Sequence, residues 1–216
     1  MAKIALIGAT GMIGQRILNE ALTRGHHVTA IVRDKSRVSV KHSNLGVQLG
    51  DALDSESVAS AAAGQDVLVS AYGTGKGDPQ LLIKAAHALI TGVSAASKKT
   101  GRDIRLIVVG GAGSLEVAPG VRLIDTPEFP AAWKPAAGAA CDALALYRKA
   151  PVNWTFFSPA AFIQPGTRTG KYRTGTDNLV ADAKGESRIS AEDYAVALVD
   201  EIEKPRFERK RFTAAY

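Results

Sequence analysis

The chain has 216 residues, a length that fits one domain with a sizeable core, and 27 basic against 21 acidic residues leave a net charge of +6. That excess fits a soluble protein with an anionic ligand better than a nucleic-acid surface. Its basic clustering, Lys204 to Arg211, lacks the interleaved aromatics that stack bases. A single cysteine, Cys141, excludes an internal disulfide framework and fits a reducing, cytoplasmic setting, and no apolar run approaches a membrane span.

Taken in order, Lys3 to Ile7 predicts a buried strand that runs into GATGMIG, Gly8 to Gly14. A helix follows with Ile13, Ile17, Ala21 and Leu22 on one face, and Gly25 stands where a helix-ending glycine belongs. Strand, glycines and helix in this order form the grip on a dinucleotide pyrophosphate: Gly8 allows the tight turn, Gly11 brings the backbone close to the phosphates, and Gly14 lets helix and strand pack. The first-turn amides then face the anion.

Val28 to Val32 predicts a second strand, Val47 to Leu49 a short third, Ser55 to Ala63 a helix stopped by Gly64, and Asp66 to Ser70 a fourth strand. His26 and His27 fall at the turn into the second strand, where exposure is expected. Asp78-Pro79 reads as a helix start, with Leu82, Ala86, Leu89, Val93 and Ala96 as the buried stripe of a helix running to about Thr100. Ile104 to Val109 is apolar enough for a central strand.

Gly110 to Pro135 is a long connection carrying Pro119, Pro127, Pro130 and Pro135, and loops of that length are commonly functional or mobile. A helix from about Ala137 to Lys149 and a strand from Trp154 to Phe157 come next. The polar stretch Gly166 to Gly185 suggests a short hairpin around Tyr172. Ser190 with Asp193 resembles a capping arrangement for a helix ending near Glu203, and Phe212 to Ala214 suits a last strand. Strands that read as continuous apolar runs and alternate with helices predict a Rossmann-type doubly wound α/β fold, one domain over 1–216 with a small C-terminal extension on the substrate side.

Cofactor choice is expected to rest on Arg33, after the second strand, with Lys35 and Arg37 close behind. A guanidinium clamps a 2′-phosphate in a bidentate way, so NADPH is expected over NADH, with Asp34 the competing carboxylate. Three further strand ends fall on the same edge. Asp51 and Leu53 suit the adenine, Ala71-Tyr72-Gly73 the ribose, and Gly110-Gly111 leave room for a nicotinamide. No histidine groups with cysteines or carboxylates at metal-ligand spacing, so no metal is expected.

GATGMIG, IVRD after the second strand, GD-L after the third, VVGGAGSL with its Pro-rich sequel, and RISAEDYA at 188–195 together resemble a family: the atypical short-chain dehydrogenases of the NAD(P)H-binding, NmrA-like type. Within it the chain is most similar to the NADH-flavin reductases and the biliverdin reductase B (flavin reductase) group. The resemblance implies that Gly8, Thr10, Gly11, Met12, Ile13 and Gly14 hold the pyrophosphate and Arg33 the 2′-phosphate. It further implies Asp51 and Leu53 at the adenine, Tyr72 and Gly73 at the ribose, and Ser158, Pro159, Ala160 and Ala161 under the nicotinamide.

The departures narrow the chemistry. Many short-chain dehydrogenases carry a Tyr-x-x-x-Lys pair before the sixth strand and a serine after the fifth. Here the helix offers only Tyr147, with Pro151 four residues on, and Ala143-Leu144-Ala145 stands where the lysine belongs. Ser114 falls a residue or two late for the serine. Without a positioned acid, carbonyl reduction is disfavoured, no catalytic side chain is assigned, and hydride transfer to a flavin or similar planar acceptor needs little beyond orientation. Phe129 and Trp133 in the Pro-rich loop, with Phe162, are candidate covers for that ring, and Ser114 a candidate contact. A nucleotide-sensing regulator without turnover, or a biosynthetic tailoring enzyme, are the alternatives.

Overall fold

The computed structural model describes residues 1–216. Eight strands form one sheet: β1 (Lys3–Ile7), β2 (His27–Val32), β3 (Leu45–Leu49), β4 (Val67–Ser70), β5 (Arg105–Val109), β8 (Trp154–Ser158), β10 (Arg173–Gly175) and β12 (Lys210–Ala215). Their spatial order is β10-β12-β8-β5-β4-β1-β2-β3, parallel throughout except for the edge strand β10. Chain direction across the sheet reverses at β1 and β4, which places a crevice outside the C-terminal ends of those strands. Two small pairs lie outside the sheet: β6 (Glu116–Ala118) with β7 (Val121–Arg122), and β9 (Phe162–Gln164) with β11 (Arg188–Ser190).

Helices cover both faces. Because side chains alternate along a strand, Ile4 and Leu6 of β1 enter one core while Ala5 and Ile7 enter the other. The first core lies under α1 (Met12–Thr23) and α5 (Ala191–Glu203). In it the Phe157 ring stacks on Tyr194 and on Phe212, each at 3.9 Å between centroids, and the Tyr194 hydroxyl donates to Phe157 O at 2.6 Å. The second core lies under α2 (Ser55–Ala62), α3 (Leu81–Thr100) and α4 (Lys134–Arg148). No helix is long and apolar enough to cross a membrane.

Several local expectations shift. Asp78 does not cap α3: its carboxylate accepts from Gln80 N at 2.9 Å, three successive i→i+3 bonds from Asp78 to Gln80 carbonyls follow, and the α-helix begins at Leu81. Helix α4 starts at Lys134 rather than Ala137, with Pro135 in its first turn, where its missing N–H costs nothing. Tyr172 is in no hairpin; the strand after it pairs antiparallel with β12, and its hydroxyl bonds Asp200. The hairpin forms instead at Glu116–Arg122, in the stretch expected to be irregular, turning at Pro119-Gly120 with Gly120 at φ +74°.

His26 is 4% exposed rather than open to solvent. Its Nδ1 accepts from Ala2 N at 3.0 Å and its Nε2 lies 3.0 Å from Glu203 Oε1, so the imidazole ties the N-terminus to the end of α5. Ser190 caps α5 by accepting from Asp193 N at 3.0 Å, but Asp193 does not return the bond. Fully buried, its carboxylate accepts from Thr169 N, Thr169 Oγ1, Gly170 N and Tyr216 Oη at 2.6–2.8 Å, fastening the 166–171 loop and the C-terminus together.

A second acidic anchor gives a pH dependence. Glu20 accepts from Arg168 Nε and Nη2 at 2.8 Å and from Arg24 Nε at 2.7 Å. Arg168 first, then Arg24, hold its carboxyl below the usual range against the opposing effect of burial. A carboxylate with a depressed folded-state pKa stabilises fully above its unfolded pKa of about 4.3, and that contribution is lost as pH falls through the folded pKa. The thermal midpoints of wild type and Glu20→Gln are therefore expected to differ at pH 7 and to converge as pH falls through the lowered folded-state pKa of Glu20; a constant gap would show that Glu20 is not what titrates.

Candidate functional site

The C-terminal ends of the parallel strands open into one continuous cleft of about 920 Å³. Its floor begins at the glycine turn. Gly8 has φ +81°, and a Cβ there would lie 2.4 Å from Ala71 O, so both backbone conformation and space demand glycine. A Cβ on Gly14 would lie 1.9 Å from Gly8 O, because the first turn of α1 rests directly on the loop. The N-cap of α1 is Gly11, which supplies no side-chain acceptor, and no acidic residue occupies the first turn. The helix N-terminus is left free to face an anion. Thr10, Gly11, Met12, Ile13 and Gly14 all border the cleft.

Arg33, Asp34 and Arg37 border the cleft past β2. The Asp34 carboxylate is already committed: it accepts from Ser36 N at 2.9 Å and Ser36 Oγ at 2.7 Å, with Ser36 as the main cause of its lowered pKa. That turn opens the 3₁₀ segment Lys35–Arg37 and brings a second guanidinium, Arg37, to the same wall as Arg33. Asp51 and Tyr72 also border the cleft. The Tyr72 phenol is pushed up by partial burial and then by Asp51, with Arg33 opposing, so these three side chains share one neighbourhood. Leu53 does not border the cleft, whereas Ala52 does; the Leu53 N–H donates to Asp51 Oδ1 at 3.0 Å.

Ala71 and Gly73 line the middle of the cleft, and Gly110 and Gly111 lie beyond β5. Space is needed at Gly110 on the protein side, since a Cβ there would lie 2.0 Å from the Phe156 ring. Pro159, Ala160, Ala161 and Phe162 form one wall of that end, and Phe129 and Trp133 stand at its rim. Trp133 is 52% and Phe162 64% exposed, large rings left open at the mouth of a groove.

Two expected contacts do not reach the cleft. Ser158 ends β8 fully buried, its Oγ without a partner, and the lining starts one residue later at Pro159. Ser114 is held by the buried Arg211, whose Nη1 donates to its Oγ at 2.9 Å while Nη2 bonds Asp177. Arg211 is thereby withdrawn from the basic C-terminal run. Cys141 is half-buried on α4, and burial raises its thiol pKa, which makes it a poor nucleophile. Missing from the sequence reading were Leu82, Ala85 and Leu89 of α3 and Ala140, Ala143 and Tyr147 of α4, which also border the cleft. Of these, Leu82 and Leu89 were expected only in the buried stripe of their helix.

The residues present fit a dinucleotide: a glycine turn in which a Cβ at Gly8 or Gly14 would collide with backbone, an uncapped helix N-terminus, and two guanidinium groups on the wall past β2. A family model described as NAD(P)H-binding matches residues 8–205. Among relatives, the uncharacterized protein YwnB of Bacillus subtilis is 44% identical, covering 98% of this chain and 97% of its own. A Burkholderia pseudomallei structure, provisionally named an exported protein, is 50% identical with a TM-score of 0.89, covering all of both chains. A Streptococcus pneumoniae structure, provisionally named an NADH-flavin reductase, is 36% identical with a TM-score of 0.88, covering 100% of this chain and 99% of that one. With its sheet order, its glycine cradle and a match over nearly its whole length, the chain belongs to the NAD(P)H-binding family.

Proposed function

We propose that this protein is an NADPH-preferring reductase whose acceptor is a free flavin or a similar planar conjugated ring. The observation that carries the reading is the contrast between the two ends of one cleft: guanidinium groups at one, and at the other small apolar side chains under an aromatic rim. NADPH, when bound, supplies a hydride. The chain's own part is to bind and orient. The α1 N-terminus and the 8–14 backbone take the pyrophosphate, Arg33 and Arg37 the 2′-phosphate, and Tyr72 with Asp51 the adenosine side.

At the far end Gly110, Gly111, Pro159 and Ala160 present a surface without bulk, and Phe129, Trp133 and Phe162 offer faces for a flat ring. No lysine lines the cleft, and the one tyrosine of α4, Tyr147, is 2% exposed with its pKa raised by burial. A site built this way lowers a barrier by juxtaposition, worth roughly 7–11 kcal/mol when two reactants are held in register. It lacks the paired donor that carbonyl reduction uses. The similarity to a protein provisionally named an NADH-flavin reductase supports the same acceptor class.

The reading is tested by following NADPH oxidation with FMN, FAD or riboflavin. Saturable acceleration by at least one of them is expected. Tight nucleotide binding with no acceleration above the buffer rate would favour a nucleotide sensor instead. Trp133→Ala is expected to raise the KM for the acceptor roughly threefold to tenfold, the loss of about 1 kcal/mol of ring contact, with the KM for NADPH unmoved. A loss of folding instead would show that Trp133 anchors its loop.

A further inference from the structure

Beyond the residues assigned above to the nucleotide and the acceptor ring, the cleft is also lined by a second set of side chains. These lie on α3 and α4, which both begin at the C-terminal edge of the sheet and descend side by side. On α4, Ala136 is exposed, Ala140 half-buried, and Ala143 and Tyr147 are 5% and 2% exposed, yet all four border the cavity. On α3, Leu82 is half-buried, and Ala85 and Leu89 are 3% and 1% exposed. Burial rises along both helices together, so these residues trace a slot that deepens into the second core. Leu82 to Leu89 is two turns, about 10 Å, and Ala136 to Tyr147 three turns, roughly 16 Å.

Alanines on the α4 side keep the slot open, and its walls offer no polar side chain until Tyr147. That phenol is held in place by Phe156, at 5.9 Å between ring centroids. Its hydroxyl bonds no group of the protein, although it lies within the folded core. It is not among the side-chain oxygens sealed off without a partner, Ser158 Oγ and Asn153 Oδ1, and Tyr147 itself lines the cavity. Buried hydroxyls are normally partnered, and leaving one unpaired is costly. An apolar tube ending in one unsatisfied hydroxyl is the form of a site that takes an apolar group with an oxygen at its tip.

We infer that the slot between α3 and α4 is a specificity site for a slender apolar substituent of the acceptor, with Tyr147 hydrogen-bonding a hydroxyl, ether or carbonyl oxygen at its end. The inference rests on the acceptor ring lying at the Gly110–Phe162 end of the cleft. Tyr147 acts here in recognition and transfers no proton.

The test needs no turnover. 1-Butanol, 1-hexanol and 1-octanol are titrated calorimetrically into protein saturated with NADP⁺. Affinity is expected to rise about fourfold per added CH₂. Tyr147→Phe, which keeps the ring packing, is expected to weaken all three alcohols by about fivefold. Ala143→Leu, which fills the slot, is expected to flatten the dependence on chain length. Circular dichroism and NADP⁺ affinity check the fold of each variant; should Ala143→Leu misfold, the wild-type series and Tyr147→Phe decide. Absence of binding, an affinity independent of chain length in wild type, or alcohol affinities untouched by Tyr147→Phe would overturn the inference. Failure of the flavin reading would appear separately, as NADPH oxidation that no planar acceptor accelerates, and would leave the alcohol titrations standing.

Discussion

Replacing Gly14 with alanine is expected to remove dinucleotide binding and to destabilise the fold at once. The added methyl would sit 1.9 Å from Gly8 O and 3.2 Å from the Ala9 Cα. Both are backbone atoms, so no side-chain rotation relieves the contact. Either α1 lifts from β1 or the 8–11 loop moves. Overpacking of this kind costs about 1–3 kcal/mol, which for a domain of this size lowers the thermal midpoint by roughly 2–12 °C. The same shift misplaces the amides facing the pyrophosphate, and hydrogen bonds to a charged group are worth about 1.5–3 kcal/mol each. Loss of one or two predicts at least a tenfold to hundredfold rise in the Kd for NADP⁺, measured by calorimetry. Gly64→Ala makes the useful control. A Cβ at Gly64 meets nothing within 4 Å, although its φ of +77° leaves some strain. It should weaken the fold modestly and leave NADP⁺ binding intact. Unimpaired NADP⁺ binding by Gly14→Ala would contradict the cradle.

Arg33→Ala is expected to raise the KM for NADPH about tenfold to hundredfold and to change that for NADH less than about twofold. The first figure is the loss of a charge-assisted, bidentate phosphate contact of about 1.5–3 kcal/mol; the second follows because NADH offers a neutral hydroxyl there. Arg37→Ala should act in the same direction more weakly, Arg33 being the residue that follows β2 directly. Ser36→Ala probes the preference differently. It removes the 2.7 Å bond from Ser36 Oγ to Asp34 but keeps the backbone bond from Ser36 N. The freed carboxylate should narrow the gap between the two nucleotides. Equal losses of NADPH and NADH in Arg33→Ala would mean that this guanidinium does not read the 2′-phosphate.

The features legible in the sequence are those governed by neighbours along the chain. The Lys3–Ile7 strand, the glycine turn, the stripe of Ile17, Ala21 and Leu22 on α1 and the Ser190 cap each depend on spacing within one or two turns. What stayed hidden depends on partners far away. His26 looks like a turn residue until Ala2 and Glu203 close around it. Ser114 is drawn off by Arg211, 97 positions on, and the Arg173–Gly175 strand takes the distant β12 as its partner rather than a neighbour. Asp193 sits three residues after a capping serine, yet it serves a loop and the C-terminus. The slot is the subtlest case. Ala140, Ala143 and Tyr147 have the spacing of a buried helix face, and periodicity does not reveal whether the space opposite is filled.

In the proposed reaction one cleft holds NADPH and a planar ring in contact. An anaerobic single-turnover reaction tests it most directly, mixing NADPH-loaded protein with one equivalent of FMN and following nucleotide and flavin absorbance together. The expected result is parallel loss of both signals, one for one, faster than in buffer and insensitive to pH between about 6 and 8, since neither histidine nor lysine lines the cleft. Flavin bleaching at the buffer rate, with the nucleotide still bound, would contradict it.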